Sequence, residues 1–233
     1  LVHASYTPSH SNYGRYVVVE HNWGQGPFYS LYAHLNAIRV AAGDSVQAGQ
    51  PLGRLGYTGA GIDKRLAHLH VELNLIWSSQ FQRWYDAGGF STPNRHSLFN
   101  GMNLIGLDLA GLFLARQKNP ALTPAEFIAQ AEPYFEVTVP GSAEMEMVQN
   151  YPWLLRGHAP AARPPSWRVT FTTWGLPVQV QAGTASVASP SLSGVLPNQS
   201  VPHGLNTRGL PSGSRRPAPL TTSGLSFIPL ASG

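Results

Sequence analysis

Apolar and polar residues alternate with a period of two through Ala67-His68-Leu69-His70-Val71-Glu72-Leu73. That period predicts a β-strand, in which successive side chains point to opposite faces. His68, His70 and Glu72 are expected on one face, and Leu69, Val71 and Leu73 on the other, in a core. Upstream, Tyr13-Gly14-Arg15-Tyr16-Val17-Val18-Val19-Glu20-His21 reads as a β-branched strand closed by a glycine-bearing turn near Trp23 to Gly26. Phe28 to Leu35 forms the next strand, Gly43 to Gly53 a turn-rich segment, and Gly56 to Gly61 a loop leading into the histidine strand. Short strands between glycine turns predict a mainly β, antiparallel unit over residues 1–77.

The pattern changes after residue 77. Residues 78–100, with Trp84-Tyr85 and Gly88-Gly89, read as a connecting loop flanking a groove. The apolar run 101–116 is shorter than the ~18 residues of a membrane span and carries Asp108, so it is expected as a buried helix. Thr123-Pro124-Ala125-Glu126 is a capping box with proline at the first helical position, starting a helix that Pro133 should end. Trp167 to Phe171 alternates like a strand, and Val178 to Val180 is placed to pair with it across Gly175-Leu176-Pro177. Residues 78–181 thus make a connecting loop and a small α+β accessory region, to which the sequence assigns no chemistry. From residue 182 to 233 the chain is rich in Ser, Gly, Pro and Thr, and too little apolar surface remains to offset ordering entropy. That stretch is expected to be a disordered tail, either a wall-spanning linker or an artefact of a partial or frame-shifted reading.

Two imidazoles on one strand face suit a metal ligand and a catalytic neighbour, although H-x-H alone also describes a pair of surface histidines. The surrounding segments narrow the choice. A Y-G-x-x-V strand (Tyr13-Gly14), Tyr32-Ala33-His34-Leu35, Gly43-Asp44-x-Val46 to Gln50, Gly56 to Gly59, and His68-Leu69-His70-x-Glu72 follow one another in order. Together they resemble the lysostaphin/LytM-type metallopeptidases of family M23. The resemblance covers the first 77 residues. It implies a zinc-dependent endopeptidase that hydrolyses peptide cross-links of bacterial peptidoglycan, with peptidoglycan peptides as its partners. It implies that His70 is a zinc ligand and that His34 and His68 are catalytic groups beside the metal. Glu72 either orients an imidazole or is a solvent-facing carboxylate.

The same resemblance calls for two further zinc ligands, a His and an Asp in H-x-x-x-D, upstream of Tyr13. Residues 1–12 contain His3 and His10 but no Asp. The chain begins with Leu, and it is read as truncated at its N-terminus or, alternatively, as a degenerate relative. Since a catalytic zinc normally has three protein ligands, the chain as given is expected to bind zinc weakly and to show little hydrolase activity. His21 is expected to be structural, Asp44 to cap a tight turn, and Asp63-Lys64-Arg65 to be a solvated loop tip. His96, His158 and His203 have no partner at ligand spacing.

Composition sets outer limits. Fifteen Lys and Arg against 11 Asp and Glu give a formal charge of +4, which favours anionic wall polymer but is too mild to argue for nucleic acid. The absence of Cys excludes disulfides and thiolate metal sites. No transmembrane segment or export signal is visible, and the implied substrate places the protein in the periplasm, in the cell wall or outside the cell. Two alternatives remain: a non-catalytic relative that binds wall peptides or activates a hydrolase, and a biotinyl/lipoyl-like carrier or adaptor module. A carrier needs a modifiable Lys at a hairpin tip. Lys64, the one Lys in the first hundred residues, lacks the usual flanking residues.

Overall fold

A computed structural model describes residues 2–143, 145–195, 210–211 and 219–232. The chain divides into two compact units, residues 1–76 with 85–109, and residues 77–84 with 110–233.

The first unit is built on an antiparallel sheet. Its elements are β1 (Val2–Ser5), β2 (Tyr16–Asn22), β3 (Pro27–Ala33), β4 (Leu35–Ile38), β5 (Gly53–Leu55), β6 (His70–Ile76) and β7 (Leu104–Gly106). Five of them form one sheet in the order β1-β2-β3-β6-β7, while β4 and β5 pair as a separate ribbon. The β-branched run Val17-Val18-Val19 suits the centre of a sheet covered on both faces. Alternation sends its side chains both ways. Tyr16 and Val18 join Leu31, Ala33, Ile76 and Leu104 on one face, against Tyr13, Leu98 and Phe99. Val17 and Val19 join Val2, Leu35 and Val40 on the other, against Ile38, Val46 and Leu52. Register runs Val18 to Leu31 to Glu72 across β2, β3 and β6, which carries β6 to the edge of the first core.

The segment 85–109 departs from the expected loop and helix. It packs with the first unit, and Leu98 and Phe99 cover the sheet. The apolar run 101–116 is a strand followed by a helix, not one buried helix. β7 pairs with β6 from Asn74 to Ile76, and a helix then spans Leu109–Lys118. An apolar run does not distinguish the two states by itself. Here the free edge of β6 takes Leu104–Gly106 as a strand. The helix buries Leu112 but leaves Phe113 and Leu114 more than half exposed.

The second unit holds a four-stranded antiparallel sheet, β10-β9-β8-β11, made of β8 (Phe135–Pro140), β9 (Ser166–Phe171), β10 (Pro177–Gly183) and β11 (Ser191–Val195). The expected pairing of 167–171 with 178–180 is present. The capping box is formed, with Thr123 and Glu126 bonding reciprocally at the start of the helix Pro124–Ala129. Phe171 stacks on both Phe135 and Trp77. Part of the segment expected to be a disordered tail is ordered. β11 adds to the edge of β8, and a helix spans Thr222–Phe227 under a Thr221 cap. Phe227 stacks on Trp77 and accepts its indole N–H at 3.0 Å. Phe227 and Ile228 are buried, two apolar anchors that a composition averaged over 52 residues, 182–233, conceals. Residues 196–209 and 212–218 of that expectation lie outside the described residues.

Candidate metal centre

His34 sits where β3 ends and β4 begins, buried, with a left-handed backbone at φ 60°. A non-glycine residue in that region stores about 1–3 kcal/mol of strain, and its surroundings fix it. The His34 N–H donates to the Tyr13 carbonyl at 2.9 Å, and the Leu35 N–H to the Arg15 carbonyl at 3.0 Å. Its ring Nδ1–H donates to the Thr58 carbonyl at 2.9 Å. Thr58 is itself locked, its hydroxyl donating to the Leu35 carbonyl at 2.8 Å and accepting the Arg15 N–H at 2.9 Å. The glycines of this crossing have a steric reason. Gly14 (φ +63°) and Gly59 (φ +115°) adopt left-handed backbones, and a Cβ on either would overlap backbone, of Thr58 from Gly14 and of Asn12 from Gly59.

His70 opens β6, opposite Ala33. Its Nε2–H donates to Glu72 Oε1 at 2.6 Å. The same oxygen accepts the Tyr13 hydroxyl at 2.9 Å, and Oε2 accepts the Asn74 amide at 2.9 Å. His70 and Glu72 therefore share a face as expected, and Glu72 orients the imidazole. His68 lies just before the strand rather than in it, exposed, its Nδ1–H donating to the Leu66 carbonyl at 2.7 Å. Leu69 and Val71 also differ from expectation: both are about two-fifths exposed, and only Leu73 enters a core. Asp63 caps the short turn Lys64–Leu66 before His68 and pairs with Arg65 at 2.8 Å.

The three histidines converge. The ring of His34 is 4.7 Å from that of His68 and 5.5 Å from that of His70, and one donor atom from each lies within 4.8 Å of the others. Carbonyls and carboxylates accept only, so the bonded nitrogens carry the protons. That leaves His34 Nε2, His68 Nε2 and His70 Nδ1 with free lone pairs. Three imidazoles, each oriented by an acceptor on one nitrogen and open on the other, gather donors of the kind a borderline transition metal takes. Burial depresses the pKa of His34. The Thr58 carbonyl opposes that shift, and the neighbouring His68 and His70 add to it.

The remaining predicted residues are placed apart from this cluster. His3 packs against Phe99 in a tilted arrangement, ring centroids 4.6 Å apart. Buried His96 accepts the Tyr16 hydroxyl at 2.7 Å on Nδ1. His21 bonds Ser30 and stacks on Trp23. Asp44 accepts the Ala41 N–H at 2.7 Å, the expected turn cap. A cavity of about 690 Å3 opens beside His70, walled by Ser9 to Tyr13 on one side and by residues between Tyr85 and Met102 on the other. The sequence reading missed Tyr13 as a partner of Glu72, since 59 residues separate them, while the stretch 78–100 does flank a groove as expected, through Tyr85, Thr92, Arg95 and Asn100.

Residues 2–81 match the family model of peptidase family M23. No curated protein and no solved structure matches the chain.

Proposed function

The chain carries an M23 peptidase-family segment over residues 2–81, and from this we propose that it is a zinc-dependent endopeptidase of bacterial peptidoglycan cross-links. The supporting observation is the convergence of His34, His68 and His70, each with one ring nitrogen held by an acceptor and the other free. Zinc at this position would supply Lewis-acid polarisation of a peptide carbonyl and a lowered pKa for an attacking water, towards ~7.

The residues divide the remaining work. His70 would hold the metal through Nδ1, with Glu72 fixing its tautomer from behind. His34, kept neutral by burial and by two neighbouring imidazoles, would accept a proton at Nε2 from the attacking water. The proton that His34 accepts would pass to the leaving amine, and the exposed His68 would donate to the developing oxyanion only after taking a proton from solvent at Nε2. A wall substrate places the protein outside the cytoplasm, in the periplasm, in the wall or secreted.

The test is release of new amino termini from purified peptidoglycan by the full chain with zinc added. Release that stops on chelation and in His34→Ala, with the fold of the variant intact by circular dichroism, is the expected result. Binding to the same material with no release would make the chain a non-catalytic wall binder.

A further inference from the structure

The cavity beside His70 has an uneven charge. Arg95 lines it, and no Asp or Glu does. Arg95 is exposed and forms no ion pair among the described residues. Glu72, which touches the lining residues His70 and Tyr13, already accepts from both and from Asn74. The other polar lining groups include the amides of Asn12 and Asn100, the hydroxyls of Ser9, Ser11 and Thr92, and the imidazole of His10. His96 accepts the Tyr16 hydroxyl at its Nδ1, and burial first of all, then the charges of His10 and Arg95 beside it, lower its pKa, against a bond to the His10 backbone that raises it.

A guanidinium with no ion pair among the described residues, lining the same cavity as His70, suits a carboxylate ligand. Resting on the peptidase reading, we propose that Arg95 selects substrates by binding a free peptide carboxylate, so that acidic stem peptides are preferred over uncharged glycine bridges. Arg95 is thus a specificity-determining residue. It is remote in sequence from the histidines and lies outside the segment 2–81.

The test is calorimetric binding of the full chain to three forms of one stem tetrapeptide. One has the α-carboxylate of its d-glutamate free and the C-terminus amidated, one has the reverse, and one is amidated at both. At least one acidic form is expected to bind about fivefold more tightly than the fully amidated one, the gain of a partly exposed charge pair. The better of the two identifies which carboxylate is read. Arg95→Gln should erase the difference without weakening the amidated peptide or moving the melting temperature, and Arg95→Lys should restore part of it. Equal affinities for all three forms, or a preference that survives Arg95→Gln, would overturn the proposal and leave the peptidase reading standing. Failure of every peptide to bind would remove both.

Discussion

Glu72 takes three donors at once, His70 Nε2–H and the Tyr13 hydroxyl on one oxygen and the Asn74 amide on the other. A carboxylate so placed sets the imidazole's tautomer and angle, and loss of such a partner typically costs 10–100-fold in metal affinity. Glu72→Gln keeps the shape but offers an amide N–H where an acceptor is needed. It should weaken zinc binding by roughly tenfold or more while leaving the thermal midpoint nearly unchanged, as read by zinc titration and calorimetry on the same preparation. Unchanged zinc affinity would make Glu72 a structural residue only. At this scale the sequence was partly legible. His34, His68 and His70 stood out because each lies in a short motif with a strand or turn around it. The alternation in β6 also put His70 and Glu72 on one face. Tyr13 and Arg95 were not legible as site residues, since only the fold brings them to His70.

Among the elements, the loop 56–59 matters most, because Thr58 is the acceptor that aims His34. It reaches that position by crossing the Asn12–Gly14 turn with glycine on both sides of the contact. Gly59→Ala should cost at least about 1 kcal/mol from its left-handed backbone alone, with the overlap at Asn12 added to that. The displaced Thr58 carbonyl should also free the His34 ring. Paired loss of thermal stability and of turnover is expected. Full activity with a lowered melting temperature would show that the loop does not set His34. The strands of this unit were readable from period-two patterning and glycine turns. β7 was not, because its three residues become a strand only by pairing with the free edge of β6. The helix at Thr222–Phe227 was hidden for a related reason: Phe227 and Ile228 are few within a polar, Pro- and Gly-rich stretch, yet they pack on Trp77.

For the whole molecule, histidine burial links stability to pH. Desolvation first of all lowers the pKa values of His3, His21, His34 and His96. Each group therefore binds a proton less readily folded than unfolded. As pH falls from the unfolded value of 6.5 towards the depressed folded values, the unfolded chain takes up more protons and stability declines. More than about one pH unit above 6.5 both states are neutral and these groups contribute no slope. Melting temperature should thus be flat above about pH 7.5 and drop between about pH 7 and 5, and a rise on acidification would contradict this balance. No helix among the described residues is long and apolar enough to cross a membrane. The central claim, that His70 ligates a metal flanked by the oriented imidazoles of His34 and His68, is met most directly by a zinc titration of the full chain against a competing chromophoric chelator. The account predicts weak but saturable binding of one zinc per chain, lost in His70→Ala and retained in His34→Ala. Zinc that persists in His70→Ala, or departs equally with His34→Ala, would contradict the assignment.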